Sequence, residues 1–175
     1  MAYGDLTDPL ASTDPVRVEH RLESVKLVPH EGVNDGDEKH HAYLFGEAVS
    51  RPEIAAPKRP RVYTSAVTAT DYRDRGRTSS WSSTVDRLAA DADGGGQFPR
   101  LFVLSAGNLS AGNANVQQAY LEYPASLSTN LIHDPGQAWN ALTVGAFTNK
   151  VDITEADAQH YQPIATAGAL SPHTT

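Results

Sequence analysis

The stretch RLFVLSAGN, residues 100–108, constrains the fold of this chain more than any other. After Arg100, residues 101–104 are apolar and typical of a buried strand, and the run then passes directly into Ser-Ala-Gly-Asn. A strand that only fills a core has no need to end on a glycine and a polar amide. We therefore interpret residues 100–106 as a buried strand whose end lies at a functional site.

Two other segments have the composition of strands. Residues 61–67 are rich in β-branched side chains, and residues 141–147 form a later apolar run. A helical pattern separates the first segment from the opening stretch, so residues 61–106 read as a strand, a helix and a strand. Because such a unit places its strands side by side and parallel, we predict one covered parallel sheet in which all three strands are neighbours.

The helix of this unit is marked by its start and by its apolar spacing. Ser79 or Ser80 can cap its first turn, and the pattern runs on until shortly before a glycine run. Apolar residues recur three and four positions apart, which predicts a helix over 79–92 with one face against the sheet. These residues are Trp81, Val85, Leu88 and Ala89, and Trp139 is predicted to share the same core.

The part of the chain before this unit is less regular. Residues 21–29 alternate well enough to predict a short strand that Pro29 ends. Residues 42–50 predict a helix that stops before Pro52. Its predicted apolar face comprises Leu44, Ala48 and Val49.

Composition limits the classes of function that remain. The chain has 175 residues with 39% hydrophobic content, which suits a single domain, predicted over residues 1–175. Its net charge of -7 disfavours nucleic acid and anionic membrane surfaces, so neither is expected as a partner. The sequence contains no cysteine, which excludes disulfides and thiolate chemistry and leaves the cellular compartment undetermined.

One segment rich in histidine and acidic residues, HEGVNDGDEKHH at residues 30–41, is a candidate for a metal site. Its spacing matches no Ca²⁺ loop, and the adjacent His40 and His41 point apart on any regular element. We therefore interpret it as a solvated loop and expect no metal. No Gly-x-Gly-x-x-Gly follows a predicted strand, so no nucleotide cofactor is expected either.

The end of the central strand carries the clearest candidate for chemistry. In a parallel sheet of this kind, ligands bind beyond the carboxyl ends of the strands, where Ser105 to Asn108 would lie. Gly107 lets backbone approach a ligand closely, and the Asn108 amide can point two N–H donors at an oxygen. A rigidly held donor suits an oxygen on which negative charge develops.

Three segments in this order, FVLSAGN (102–108), YPAS (123–126) and WNALTVGA (139–146), resemble the central part of the subtilisin-like serine peptidases, or subtilases. The resemblance covers roughly residues 61–148. It implies an α/β fold with a parallel β-sheet flanked by helices in an α/β/α arrangement. It also implies hydrolysis of peptide bonds through an acyl-enzyme, with a peptide or protein substrate and no cofactor.

The resemblance assigns a role to the polar end of the central strand. In the family, the Asn in this position donates to the tetrahedral intermediate, and its removal in a subtilisin lowers turnover about a hundred- to a thousandfold. The role falls on Asn108. Backbone that lines the specificity cleft is implied at Ala66, Val67, Thr68, Ser105, Ala106 and Gly107. The first three stand where the family usually has Ser-Leu-Gly, and a strand end without a binding role is the alternative for them.

The chain also departs from the family pattern. Subtilases carry the nucleophile in Gly-Thr-Ser, the base in His-Gly-Thr and the Asp before a Ser or Thr and a Gly, and none of these strings occurs here. Ser171-Pro172-His173 resembles residues after the nucleophile, but Gly168 stands where the hydroxyl would be needed. We interpret it as a loop ahead of that motif, and residues 2–6 as the end of the helix after the catalytic His. The resemblance thus implies the middle of a peptidase domain, incomplete at both ends and inactive alone.

Two hypotheses remain open. In the first, the chain is part of an active serine endopeptidase whose triad lies outside these residues. In the second, it is a non-catalytic subtilase-like module kept for binding or structure. In either case, a sheet without its terminal strands and covering helices would expose edges and apolar faces, so we expect self-association.

Overall fold

The computed structural model describes residues 10–15, 20–27, 40–69, 76–109, 114–149 and 151–175. Its main helices and strands are, in chain order, α1 (His41–Ala55), β1 (Val62–Ser65), α2 (Ser80–Ala89), β2 (Leu101–Ser105), α3 (Ala114–Leu121) and β3 (Leu142–Val144). Short 3-10 helices lie at Ala92–Gly94 and Ala125–Ser128.

The three strands form one parallel sheet in the order β1-β2-β3. Val62 of β1 pairs with Leu101 of β2, and Val103 of β2 pairs with Leu142 of β3. The predicted parallel sheet and the α/β class are therefore confirmed. The central position of β2 explains its apolar sequence, because both of its edges hydrogen-bond to neighbours and its carboxyl end lies in the middle of one sheet edge.

Helices α1 and α2 cover one face of the sheet. Phe102 of β2 and Val85 of α2 are both 0% exposed, and Trp81 is 2% exposed. The ring of Phe45 in α1 lies 5.8 Å from that of Phe102 and 6.1 Å from that of Trp81. The predicted packing of the helix through Trp81, Val85 and Leu88 is confirmed, with Leu88 at the border of the core.

Helix α2 begins where its cap was predicted. The Ser79 hydroxyl accepts hydrogen bonds from the backbone N–H groups of Trp81 and Ser82, and the Ser82 hydroxyl accepts one from the N–H of Ser79. This reciprocal pair satisfies donors that the first turn leaves open. The helix ends at Ala89, shorter than the predicted 79–92, because the chain tightens into the 3-10 turn Ala92–Gly94.

Two predictions in the first third of the chain are wrong. Residues 21–27 form no strand, since this described part of the predicted strand pairs with no other strand and lies mostly exposed on the surface. Helix α1 does not stop before Pro52 but continues to Ala55. Pro52 lacks an N–H, yet its carbonyl still accepts from the N–H of Ala56, so the last turn persists.

The opposite face of the sheet is open within the described residues. Its exposed apolar side chains are Val62, Leu101, Leu142 and Val144. Trp139, predicted to lie in the core, is 86% exposed in the turn before β3, where Ala138 is the buried residue instead. Two covering helices on one side thus account for the core that is seen.

Candidate functional site

The predicted substrate-binding segments reach the same edge of the sheet. β1 ends at Ser65, which pairs with the penultimate residue of β2, so residues 66–68 leave the sheet beside Ser105. Ser105 in turn pairs with Val144, the last residue of β3. The sequence therefore folds so that residues 66–68 and 105–107 meet at the carboxyl edge. Their binding to a peptide stays a prediction.

Serine hydroxyls shape both strand ends in the same way. The backbone N–H of Val67 donates to Ser65 Oγ at 3.3 Å, and that of Gly107 donates to Ser105 Oγ at 3.1 Å. Such a bond from a residue two positions on bends the chain out of the sheet. Along these segments Ala66 and Asn108 are exposed, Val67, Thr68 and Ser105 are half-buried, and Ala106 and Gly107 are buried.

Gly107 occupies a position that only glycine fits. Its φ is +111°, outside the range that residues with a side chain normally adopt. A β-carbon there would lie 2.6 Å from Cγ of His133, so the imidazole ring packs directly against the glycine. His133 is 4% exposed, and its backbone N–H donates to the Ala106 carbonyl at 2.8 Å. His133 and Gly107 together fix the backbone conformation just before Asn108.

The segment around His133 connects this edge to two other elements. The next residue, Asp134, is buried, and its Oδ1 accepts a hydrogen bond from the Ser79 hydroxyl at 2.5 Å. Its carbonyl accepts from the N–H of Ala69, just after the predicted binding residues that follow β1. The cap of α2 and the exits of β1 and β2 are thus tied together through residues 133 and 134.

Asn108 follows this fixed step and is exposed at the sheet edge. No group in the described part of the chain accepts a hydrogen bond from its side-chain amide. The next backbone N–H, that of Leu109, donates to the His173 carbonyl at 2.9 Å. The amide therefore sits on a tethered backbone and has no acceptor among the described residues, and its role as a donor to a ligand stays a prediction.

The last residues of the chain lie along this edge. Ser171 N–H donates to the Ala146 carbonyl at 2.9 Å, just beyond β3. Thr174 forms an antiparallel bridge with Asn108, and the Thr175 hydroxyl donates to the Ala106 carbonyl at 2.6 Å. Ser171-Pro172-His173, interpreted from sequence as a loop, is indeed without helix or strand, but it is part of a segment packed against the site.

Two tyrosines, on α3 and just after it, contact the same segment. The hydroxyl of Tyr120, on α3, lies 2.8 Å from Nδ1 of His173, and the two rings meet edge to face with centroids 5.2 Å apart. The hydroxyl of Tyr123 donates to the Leu170 carbonyl at 2.7 Å. Helix α3 and the residues just after it are therefore joined to the segment 170–175 at two points.

Sequence reasoning missed His133 and Thr174, which contact the site from far along the chain. His133 stands in His-Asp-Pro-Gly, a turn signal that could have marked a tight connection. No local signal could have placed its ring against Gly107, because that contact depends on the tertiary fold. The Thr-Thr pair carries no sequence signal either.

The sequence model of the subtilase family matches residues 1–175, the whole length of the chain. The chain belongs to the subtilase family. This membership identifies it by family as a serine hydrolase, and the carboxyl edge described above is where the predicted residues gather. No curated protein and no solved structure matches the chain.

The described residues of this subtilase hold no group of three or more side chains suited to a metal ion. Most of the candidate segment 30–41, including His30, Asp35 and Asp37, lies outside those residues. His41 begins α1 and stacks on Trp81 with ring centroids 5.0 Å apart. Among the helices that the structure describes, none is both long and apolar enough for a membrane span.

Proposed function

We propose that the full-length protein is a serine endopeptidase that cleaves peptide bonds through an acyl-enzyme, with Asn108 as its oxyanion donor. Membership of the subtilase family supports peptide hydrolysis as the reaction. One observation carries the role of Asn108. Its exposed amide follows a buried strand and a glycine of positive φ at the carboxyl edge of the sheet.

The chemistry of acyl transfer explains why an amide suits this place. Attack on a peptide carbonyl puts negative charge on the carbonyl oxygen, and a donor already in position stabilises that charge without reorganising. An asparagine amide stays neutral and keeps both N–H donors at every working pH. The hydrogen bonds that tether Gly107 and Leu109 limit the backbone movement of Asn108 between them.

The peptide itself would lie against the backbone that leaves β1 and β2. The proposed binding residues are Ala66, Val67, Thr68, Ser105, Ala106 and Gly107. Their shared position at the carboxyl edge of the sheet supports this placement. Asn108 then follows the binding residues directly, as a donor to the scissile carbonyl must.

The test is Asn108→Leu in the full-length protein, with Asn140→Leu as the matched control. Asn140 is exposed before β3 and distant in the sheet from the carboxyl edge, so its loss should leave turnover unchanged. Asn108→Leu should lower kcat by about a hundred- to a thousandfold with little change in KM, because the bond forms only as charge develops. Steady-state kinetics and melting temperature are measured on the same samples.

Two other outcomes would reject the proposal in different ways. An intact melting temperature with kcat lowered less than about threefold would mean that Asn108 is not the oxyanion donor. A lower melting temperature with unchanged activity per folded molecule would make Asn108 a structural cap of the strand. Absence of peptidase activity in the unsubstituted full-length protein would favour a non-catalytic binding or structural module.

The 175-residue chain by itself should form no acyl-enzyme, because none of the family's triad strings occurs in it. A fluorophosphonate probe should therefore leave it unlabelled. Ser105 and Ser171 both accept hydrogen bonds from backbone N–H groups two residues further along the chain. Covalent labelling at Ser105, at Ser171 or at Ser110, which lies outside the described residues, would require a different active site.

A further inference from the structure

The segment Ser171–Thr175 holds the residues around Asn108 by two backbone hydrogen bonds. Leu109 N–H donates to the His173 carbonyl at 2.9 Å, and Thr175 N–H donates to the Gly107 carbonyl at 3.3 Å. These two bonds flank Asn108 on either side. The segment is therefore paired with the residues before and after the candidate oxyanion donor.

The bond pattern also fixes which way Asn108 faces. Because the bonds join the neighbours of Asn108 to the neighbours of Thr174, the two residues form a non-hydrogen-bonded antiparallel pair. In such a pair the side chains stand directly opposite each other, with Cα atoms about 4.5 Å apart. The backbone N–H and C=O of Asn108 therefore point away from the segment.

Two hydroxyl groups lock this pairing to the sheet. Thr174 is 3% exposed, and its Oγ1 accepts from the N–H of Ala146 at 3.2 Å, just beyond β3. The Thr175 hydroxyl donates to the Ala106 carbonyl at 2.6 Å. That carbonyl also accepts from the N–H of His133, so two donors from separate parts of the chain hold one peptide plane.

We propose that residues 171–175 are a positioning strip for Asn108, with Thr174 and Thr175 as the positioning residues. The catalytic consequence rests on the proposed function, whereas the restraint on the backbone does not. The hydroxyl of Thr175 fixes the peptide plane before Gly107, and the buried Thr174 sets the distance between strip and sheet. Neither residue touches the reacting atoms.

The first arm of the test measures the restraint in the full-length protein, independently of catalysis. Thr175→Val removes the hydroxyl and keeps the shape of the side chain, and Thr175→Ser keeps the hydroxyl as a rescue variant. Thr84→Val is the matched control, because the Thr84 hydroxyl also donates to a backbone carbonyl, that of Ser80 on the surface of α2. Hydrogen exchange is followed at the amide of Leu109.

The expected result is exchange at Leu109 about fivefold faster in Thr175→Val, since one net hydrogen bond of the restraint is lost. Thr175→Ser and Thr84→Val should match the unsubstituted protein. Unchanged exchange in Thr175→Val would overturn the proposal. If Thr175→Val fails to fold, Thr174→Ser, which removes only the methyl group that helps to set the spacing, takes its place with the same expected direction and the same overturning outcome.

The second arm measures the consequence for catalysis. Thr175→Val should lower kcat by about tenfold with KM unchanged, because small displacement of a catalytic group is costly. Combined with Asn108→Leu, it should cause no further loss, since the donor that it positions is already gone. Equal losses in both backgrounds would make the strip a general structural element and overturn the positioning role.

The two arms separate this inference from the proposed function. If the full-length protein hydrolyses no peptide, the proposed function fails, and exchange at Leu109 alone decides whether the strip restrains the edge. If the protein is active and Asn108→Leu leaves kcat unchanged, the proposed role of Asn108 fails. The restraint by the strip is then still tested by hydrogen exchange at Leu109 in Thr175→Val.

Discussion

The two ends of the sheet hold their neighbouring segments by different means. At the amino end, Arg100 donates to both carboxylate oxygens of Glu53 at 2.6 and 3.0 Å and to Asp91 at 3.1 Å. At the carboxyl end, the residues around Asn108 are held by backbone groups and threonine hydroxyls. The first end is held by ion pairs, whereas the backbone around Asn108 is held by hydrogen bonds from uncharged groups and by the packing of the His133 ring.

The pKa values of the amino end follow from its ion pairs. The hydrogen bond from Arg100 is the main reason that the pKa of Glu53 lies below its usual range, although burial acts in the opposite direction. The pKa of Asp91 is lowered chiefly by the hydrogen bond from the backbone N–H of Phe98, and further by Arg100. Burial is the largest cause that raises the pKa of Tyr63, whose hydroxyl donates to Glu53.

This difference suits a site at the carboxyl end. The threonine hydroxyls and backbone groups that hold Asn108 keep their protonation, so these hydrogen bonds do not themselves titrate. The amino end carries no candidate site residue, so charge can be used there for stability. The ion pairs of the amino end and the candidate site are thereby separated by the length of the strands.

Gly107→Ala should disrupt the packing at the carboxyl end of the sheet and have the largest effect on the free energy of unfolding. A methyl group there meets the His133 ring and forces a residue with a side chain into a positive φ. Together these costs should lower the free energy of unfolding by about 3 kcal/mol or more. Chemical denaturation measures the change.

Gly95→Ala is the matched control for this substitution. Gly95 also has a positive φ, +76°, but a β-carbon there would have nothing within 4 Å. Its cost should be the backbone term alone, about 1 to 2 kcal/mol. Equal losses at both glycines would show that the contact with His133 contributes nothing.

Arg100→Met should remove the ion pairs at the amino end of the sheet and have a smaller effect on the free energy of unfolding. The substitution leaves Glu53 and Asp91 without their shared cation, and we expect a loss of about 1 to 2 kcal/mol in the free energy of unfolding. The figure is modest because the Arg100 side chain is 19% exposed and that of Glu53 is 30% exposed, so water replaces part of the lost bonding.

Arg87→Met supplies the control for Arg100→Met. Arg87 and Asp93 form an exposed pair at 3.6 Å, with side chains 56% and 74% exposed. Such a pair contributes little, so the free energy of unfolding should change by less than about 0.5 kcal/mol. Comparable losses for both arginines would contradict the special role of the network at the amino end.

The parts of the fold that sequence predicted are those with local signals. The strand of residues 100–106 and the cap at Ser79 follow from propensity and from hydrogen bonds within a few residues. The strand predicted at 21–29 failed because alternation alone does not supply a partner strand. Helix α1 continues past Pro52 to Ala55, where Glu53 accepts hydrogen bonds from Tyr63 and Arg100, contacts that the local sequence pattern does not show.

The candidate site divides in the same way. The glycine and the amide at its centre were predicted from the end of one strand. The restraints on them were not, because Thr175 reaches Ala106 across 69 residues of chain. His133 likewise contacts Gly107 only through the folded arrangement of β2 and the turn before β3. A local pattern can mark where chemistry occurs without indicating what holds it in place.

Lowering the pH should remove the contribution that the ion pairs at the amino end make to the free energy of unfolding. Glu53 and Asp91 have pKa values lowered in the folded state, so their contribution is present above the unfolded pKa of about 4 and is lost as pH falls through the folded values. The unsubstituted protein should therefore lose more stability than Arg100→Met between about pH 5 and pH 2. Parallel losses in denaturant titrations across this range would contradict the assignment.

The smallest effect should come from the face of the sheet that the described residues leave uncovered, which runs between the two ends. Leu101 at the amino end and Val144 at the carboxyl end are 50% and 48% exposed there. Parallel sheets are normally covered on both faces, so we propose that a second copy covers this one through weak self-association.

Leu101→Glu and Val144→Glu should weaken that self-association about equally, because the open face runs between the two ends. Leu121→Glu, on α3 and 82% exposed away from the sheet, is the control and should leave it unchanged. Sedimentation over a range of concentrations measures the association. A larger effect at Leu101 than at Val144 would mean that the contact belongs to one end, and a monomer at every concentration would remove the second copy as the cover.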